Sequence, residues 1–313
     1  MKSQTNLQTI LGRGHFAVTC EVTPPLGANL DSISLIASEL LGNVDAVNVN
    51  DNPSANVRMS SWAICKVLLD SGIEPVMQMT TRDRNRIALQ SDLLGASALD
   101  IKNVVCMTGD HPVKGDHPQA KKVFDLDSIQ WIEAVKRIRD EGRLINGNKV
   151  EGIPGFFIGC VANPFVESQE LHIIKLKKKV RAGAEFIQTQ PVFDTKRFGI
   201  WLNMAKDHGI TEKCYIIPGI IAIKSIGMAQ YMSNNLPGII IPDFVIDRLN
   251  GVPKDKQREE GIKICIDQIK ELGDMKEVKG IHIMAPGPKA NTAEIIERAG
   301  LLPRPQISKQ SVE

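Results

Sequence analysis

Glu21 interrupts an apolar run, Phe16-Ala17-Val18-Thr19-Cys20-Glu21-Val22, just before Thr23-Pro24-Pro25. A carboxylate in such a place is costly unless it is paired or used. If desolvated, its pKa rises and it can act as a general acid near neutral pH. An outward-facing or salt-bridged Glu is the alternative. Asp110 follows Thr108-Gly109 at the end of another apolar run. Gly109 permits a tight turn and lets a planar ligand approach the backbone closely. Gln188 and Gln190 alternate along a third run, so both fall on one side of a strand. Their amides each donate and accept, which suits the edge of a pterin- or purine-like ring, or else a satisfied core amide.

Two weaker patterns accompany these. Gly109-Asp110-His111-Pro112 is echoed by Gly115-Asp116-His117-Pro118, and paired Asp and His residues invite a metal reading. A third ligand cluster is missing, and adjacent Asp-His pairs seldom converge on one ion, so a solvent loop and no metal site are expected. The cluster Lys177-Lys178-Lys179-Arg181 reads either as a solvated helix face or as a site for phosphate or a polyanionic tail.

The elements that must position these residues are legible as eight short apolar runs, at 16–22, 44–50, 74–80, 103–108, 156–162, 185–190, 215–220 and 278–285. Helical patterns follow at 29–41, 57–71, 84–94, 128–141, 168–182, 195–208, 224–235 and 255–272, with Asp127 or Ser128 as an N-cap and Gly183 as a stop. Strand–helix alternation repeated eight times predicts an α/β fold, a (β/α)8 TIM barrel with its active site at the strand ends. The runs ending at Asn50, Gln78 and Asn163 then bring further polar groups to that face. The long segment 109–124 follows a strand and belongs to the same face, whereas 142–155 follows a helix and belongs to the opposite one. One domain over residues 1–313 is expected, with a short N-terminal lead and a flexible tail from about Gln306.

The chain has a net charge of +2, which gives no global reason to bind nucleic acid. Six cysteines occur without a CxxC pair, three of them inside apolar runs, as expected of reduced thiols in a cytoplasmic protein. The first residues do not resemble a secretory signal, and no apolar run suits membrane insertion. GxSxG, a Walker loop, a Gly-rich dinucleotide fingerprint and a strand-end Schiff-base Lys are all missing, so any cofactor would be held by barrel loops.

Read together, the stretch 16–25 around Glu21, Thr108-Gly109-Asp110-His111-Pro112, 176–184, 189–194 and 217–220 resemble the methylenetetrahydrofolate reductase family, in order, from about residue 16 to 303. The resemblance implies a flavin-bearing (β/α)8 barrel that reduces 5,10-methylenetetrahydrofolate to 5-methyltetrahydrofolate by hydride transfer. It implies that Glu21 assists opening of the folate's five-membered ring, and that Asp110 lies near flavin and pterin. Gln190 would bind substrate, with Lys289 a further substrate contact. Met107, Thr108 and Gly109 would neighbour the flavin. Asn50, Gln78, Asn163 and Ala184 would touch its ring, ribityl chain or adenosine portion, and Lys178 and Lys179 its phosphates.

Familiar bacterial members carry Arg at the place of Thr108, His near Gln78, Tyr near Asn163 and an aromatic residue at Ile226. The Thr-Gly-Asp-His-Pro version is closer to reductases of anaerobes, some of which work with a small zinc-containing partner protein and electron-transfer subunits. The resemblance thus implies FAD, with FMN left open. It leaves open NAD(P)H or a reduced carrier as electron source, and assembly as a homo-oligomer. A flavin-free barrel lyase and a complex-dependent reductase subunit are the rival readings.

Overall fold

The computed structural model describes residues 5–236, 239–284 and 291–307. Eight parallel strands close on themselves in chain order: β1 (Ala17–Val22), β2 (Ala46–Val49), β3 (Pro75–Thr80), β4 (Asn103–Met107), β5 (Phe157–Ala162), β6 (Phe186–Pro191), β7 (Tyr215–Ile220) and β8 (Gly280–Ile283). β8 pairs with β1 from Ala17–Gly280 to Cys20–Ile283, which completes the ring. The expected (β/α)8 barrel is therefore the fold observed.

Helices return the chain between strands: α2 (Asp31–Leu40), α3 (Ser61–Asp70), α4 (Arg86–Ala98), α5 (Ser128–Glu141), α6 (Gln169–Ala182), α7 (Thr195–Asp207), α8 (Ile226–Asn235), α9 (Asp243–Asn250) and α10 (Gln257–Gly273), with α1 (Asn6–Gly12) before β1 and α11 (Thr292–Arg298) after β8. α5 matches its predicted span, because its start is specified locally. Asp127 accepts from the amides of Ile129 and Gln130 while Gln130 reaches back to the Asp127 amide, a full capping box. α3 starts four residues later than its apolar pattern suggests. The amides of Val57, Arg58 and Met59 are taken by Asp116, Asn52 and Pro25, so they cannot join a helix. α9 was not anticipated; it and α8 pack over a small separate core of Phe193, Ile223, Val245 and Ile264. All six cysteines are free and buried, and no helix among the described residues is long and apolar enough to cross a membrane.

Strand alternation sorts side chains into an outer set, packed against helices, and an inner set that fills the barrel. At the N-terminal end the inner set is apolar: Ala17, Ala46, Val76, Val105, Phe157, Phe186 and Ile217 pack against Leu7, Ile10 and Leu11 of α1. α1 is thus a plug. The rings of Phe157 and Phe186 stack at 4.8 Å, in space left by Gly159, where a Cβ would fall 2.3 Å from the Phe186 ring. The Glu74 carboxylate pins the plug, accepting from the amides of Asn6 and Leu7 and from Asn103 Nδ2. Arg304 ties the C-terminal segment to the same end through Asp45 and the Phe16 carbonyl.

Burial outweighs these donors and raises the Glu74 carboxyl above its ordinary value. A carboxyl raised on folding adds stability that is complete below its unfolded pKa and is lost as pH rises through its folded pKa. The difference in unfolding free energy between the native chain and Glu74→Gln should therefore shrink from mildly acidic pH towards neutrality, measured by urea titration at several pH values. Glu74→Ala, which strands three donors, should cost about 2–4 kcal/mol.

Candidate active site

Above the apolar end the barrel interior turns polar. Thr19 of β1, Asn48 of β2, Gln188 of β6 and His282 of β8 are all buried there. Asn48 Nδ2 donates to Gln188 Oε1 at 2.6 Å, and Gln188 Nε2 donates back to Asn48 Oδ1 at 3.0 Å. Gln188 Nε2 also lies 3.3 Å from His282 Nδ1, and the Thr19 hydroxyl lies 3.0 Å from that same nitrogen. The Thr19 hydroxyl also donates to the Ile281 carbonyl at 3.2 Å and can play either role, whereas Gln188 Nε2 can only donate; with the amides paired in this way Nδ1 accepts and the imidazole proton belongs on Nε2. Nε2 faces Glu21, whose Oε2 is 3.6 Å away. Glu21 is 16% exposed, at the boundary between the buried layer and the mouth. Its costly position in an apolar strand is explained: it has an imidazole beneath it and solvent above.

The mouth gathers most of the anticipated residues. Asn50, two residues beyond Asn48, is buried; its Nδ2 donates to Thr23 Oγ1, and its Oδ1 has no partner. Gln78, Met107, Thr108 and Gly109 are half-buried, and Asp110 is exposed. Gly109 adopts φ +86°, and a Cβ there would meet the side chains of Thr80 and Arg82 at 3.0–3.2 Å, so this turn requires glycine. Gln190 departs from the simple alternation. A register shift between Gln188 and Pro191 separates the two amides, leaving Gln188 in the core and Gln190 half-buried near the mouth.

The other anticipated residues divide between the two ends of the barrel. Asn163 uses its Oδ1 to accept from the Phe165 amide in the loop after β5. Lys179 is buried and donates to the Val161 carbonyl at 2.8 Å, one residue from the end of β5; burial lowers its pKa. Lys178 is exposed on the outer side of α6. Ala184 needs correction. It precedes β6, next to Glu185, whose amide bonds Ile158 at the start of β5. It therefore belongs to the end of the barrel opposite Asp110, and the structure does not bring it to the mouth. Lys289 lies outside the described residues.

His282, Asn48, Arg82 and Arg84 were not singled out in the sequence, whereas Asp51 was read as a polar strand end. Asp51 accepts from the amide and hydroxyl of Thr80 and forms a two-point ion pair with Arg84 at 2.7 and 3.1 Å, fixing the ends of β2 and β3 together. The signal for this pair was present in Thr80-Thr81-Arg82-Asp83-Arg84, a charge-rich strand end. His282 carried a fainter one, a lone polar residue within an apolar run. Beside the mouth is a cleft of about 650 Å³ between the loops after β4 and β5 and the end of α8, lined by Phe165, Leu236 and Ile240 with Lys114, His172 and Asn234. Burial, with Lys175 and Lys179 nearby, lowers the pKa of His172.

A closed parallel barrel with an acid, an imidazole and several amides gathered at its strand ends defines a barrel enzyme. The family model described as methylenetetrahydrofolate reductase matches residues 6–300, and the chain belongs to that family. A probable methylenetetrahydrofolate reductase (NADPH) of Caenorhabditis elegans is 27% identical over 249 residues, 77% of this chain and 35% of that protein. The chain thus matches about a third of that relative's length. The 5,10-methylenetetrahydrofolate reductase of Pectobacterium carotovorum is 22% identical over 279 residues, 86% of this chain and 85% of that one. Among solved structures, an uncharacterized protein from Clostridium thermocellum that binds two copies of 5-methyl-5,6,7,8-tetrahydrofolic acid aligns with a TM-score of 0.60. The alignment covers 95% of this chain and 98% of that one at 16% identity, a likeness of fold.

The reciprocal amide pair carries a stability prediction. Asn48→Leu strands Gln188 Oε1 and one of its Nε2 protons and should lower the unfolding free energy by about 2–4 kcal/mol, read by urea denaturation. Adding Gln188→Leu should recover part of that loss, because two apolar partners leave fewer groups unpaired.

Proposed function

We propose that this chain reduces 5,10-methylenetetrahydrofolate to 5-methyltetrahydrofolate with a bound flavin. The observation that carries the reading is Glu21, poised at the mouth with the His282 Nε2 proton facing it, in a chain of this family. The flavin, when bound, supplies the hydride. Residues at the mouth fit such a group. Asn50 Oδ1 is a buried acceptor with no partner, suited to an N–H on the edge of a planar ring. Gln78, Met107 and Thr108 line the same side. The cleft beside the mouth lies in the size range of small-molecule sites. In this reading the exposed Lys178 contributes positive charge for phosphates, while Lys179 is committed to the Val161 carbonyl.

Glu21 donates a proton to the folate nitrogen that departs when the five-membered ring opens. The resulting iminium cation gains from the Asp110 carboxylate at the exposed rim. Gln190 offers a donor and an acceptor to the pterin edge. His282 Nε2, 3.6 Å from Glu21 Oε2, is the polar group beneath the carboxyl, on the side away from the mouth. The electron source, NAD(P)H or a reduced carrier protein with a zinc-containing partner, is read from which one restores turnover to the purified chain.

General acid assistance contributes about 100- to 10,000-fold to rate. Glu21→Gln should lower folate turnover by that order while the flavin stays bound, as followed by visible spectrum and single-turnover reoxidation with methylenetetrahydrofolate. A purified chain that is colourless and takes up neither FAD nor FMN would sink the reading, and turnover unchanged in Glu21→Gln would remove Glu21 from its role.

A further inference from the structure

The loops after β2 and β4 form one wall of the mouth, and a single buried side chain joins them. Arg82 follows β3 and is 2% exposed. Its Nε and Nη2 bind both oxygens of Asp83 at 2.8 and 2.6 Å. Nη2 also donates to the Asn52 carbonyl at 3.2 Å in the β2 loop, and Nη1 reaches the Asp110 carbonyl at 3.5 Å in the β4 loop. The Arg82 carbonyl accepts from the Val123 amide at 2.9 Å. The long segment 109–124 is therefore fastened to this one residue near both ends. Burial would raise the Asp83 carboxyl, but the hydrogen bonds and charge of Arg82 prevail and lower it, so the partner stays ionised.

The wall is tight elsewhere too. Asn52, Ser54 and Ala55 all take positive φ, at 46°, 54° and 61°, conformations that cost non-glycine residues energy and persist only when the surroundings impose them. Gly115 approaches so closely that a Cβ would fall 1.9 Å from the Ala55 carbonyl oxygen. Asp116 accepts from the Val57 amide at 3.0 Å. A strained β2 loop pressed against a β4 loop, with a buried guanidinium holding carbonyls of both, is more than the barrel needs to close.

We propose that Arg82 is a positioning residue that sets the place of Asp110 at the mouth by holding the β2 and β4 loops together. The inference rests on the reading of Asp110 as a folate-contacting acid. A fork is needed because one group must satisfy a carboxylate and two carbonyls in different directions, which the point charge of Lys cannot do. Lys at this position should hold Asp83 but release the loops.

The test uses the flavin-loaded chain with Arg82→Lys, Arg82→Gln, Asp110→Asn and the double variants. Hydrogen exchange at Val57, Gly115 and Val123 should quicken in both Arg82 variants while the barrel strands keep native protection. Folate kcat/KM should fall by up to about 100-fold, the scale of a small misplacement, with flavin affinity little changed. In the Asp110→Asn background the Arg82 substitutions should have little further effect, because the residue acts through Asp110. Native exchange at the three amides would overturn the proposal, as would losses that multiply independently in the double variants. Folate turnover unaffected by Asp110→Asn would instead overturn the underlying reading of Asp110, and the exchange data would still decide whether Arg82 orders the wall.

Discussion

The paired amides of Asn48 and Gln188 are the interaction on which the site depends. Each satisfies the other in the middle of the barrel, where an unpaired amide would cost far more than a single hydrogen bond returns. The remaining Gln188 proton faces His282 Nδ1, with the Thr19 hydroxyl 3.0 Å from the same nitrogen. One tautomer follows, and with it the direction of the proton that Glu21 meets. A carboxylate that would be a liability in a strand is thereby given a partner from an adjacent strand. Chemistry at the rim and packing in the interior are consequently one problem, solved by four side chains from β1, β2, β6 and β8.

The eight runs were visible because each strand of a parallel barrel is buried on both faces and so is continuously apolar. The polar interruptions in those runs pointed inward, as Glu21 and Asn50 show. Capping chemistry was also local: Asp127 and Gln130 mark the start of α5 without reference to the rest of the molecule. What escaped the sequence was set by partners distant along the chain. His282 gains its meaning only from Thr19 and Glu21, more than 260 positions away. Gln188 and Gln190 read alike until a shift in the β6–β7 register sends them to different environments. Ala184 shows the converse error: a motif match says nothing about which end of a barrel a residue occupies, whereas its place before a strand does.

The rim illustrates how charge is handled where strands end. Asp51 and Arg84, and Asp83 and Arg82, neutralise one another in pairs with hydrogen bonds that use most of their valence. Such pairs add little net stability compared with apolar packing, yet breaking one is expensive. They behave as fixed struts between loops. Against that internally balanced scaffold, the exposed Asp110 carboxylate stands as charge left free to interact with what enters the mouth.

The plug formed by α1 has a consequence for proton traffic. Below the layer of Thr19, Asn48, Gln188 and His282 the interior is filled by aliphatic and aromatic side chains pressed against Leu7, Ile10 and Leu11. The polar column is therefore a cul-de-sac, wetted from one side only. In the proposed reaction, a proton surrendered by Glu21 would have no route of replacement from beneath. Replenishment would have to come through the mouth, the doorway the proposed substrate and product also use, which would join the resetting of the acid to the emptying of the barrel.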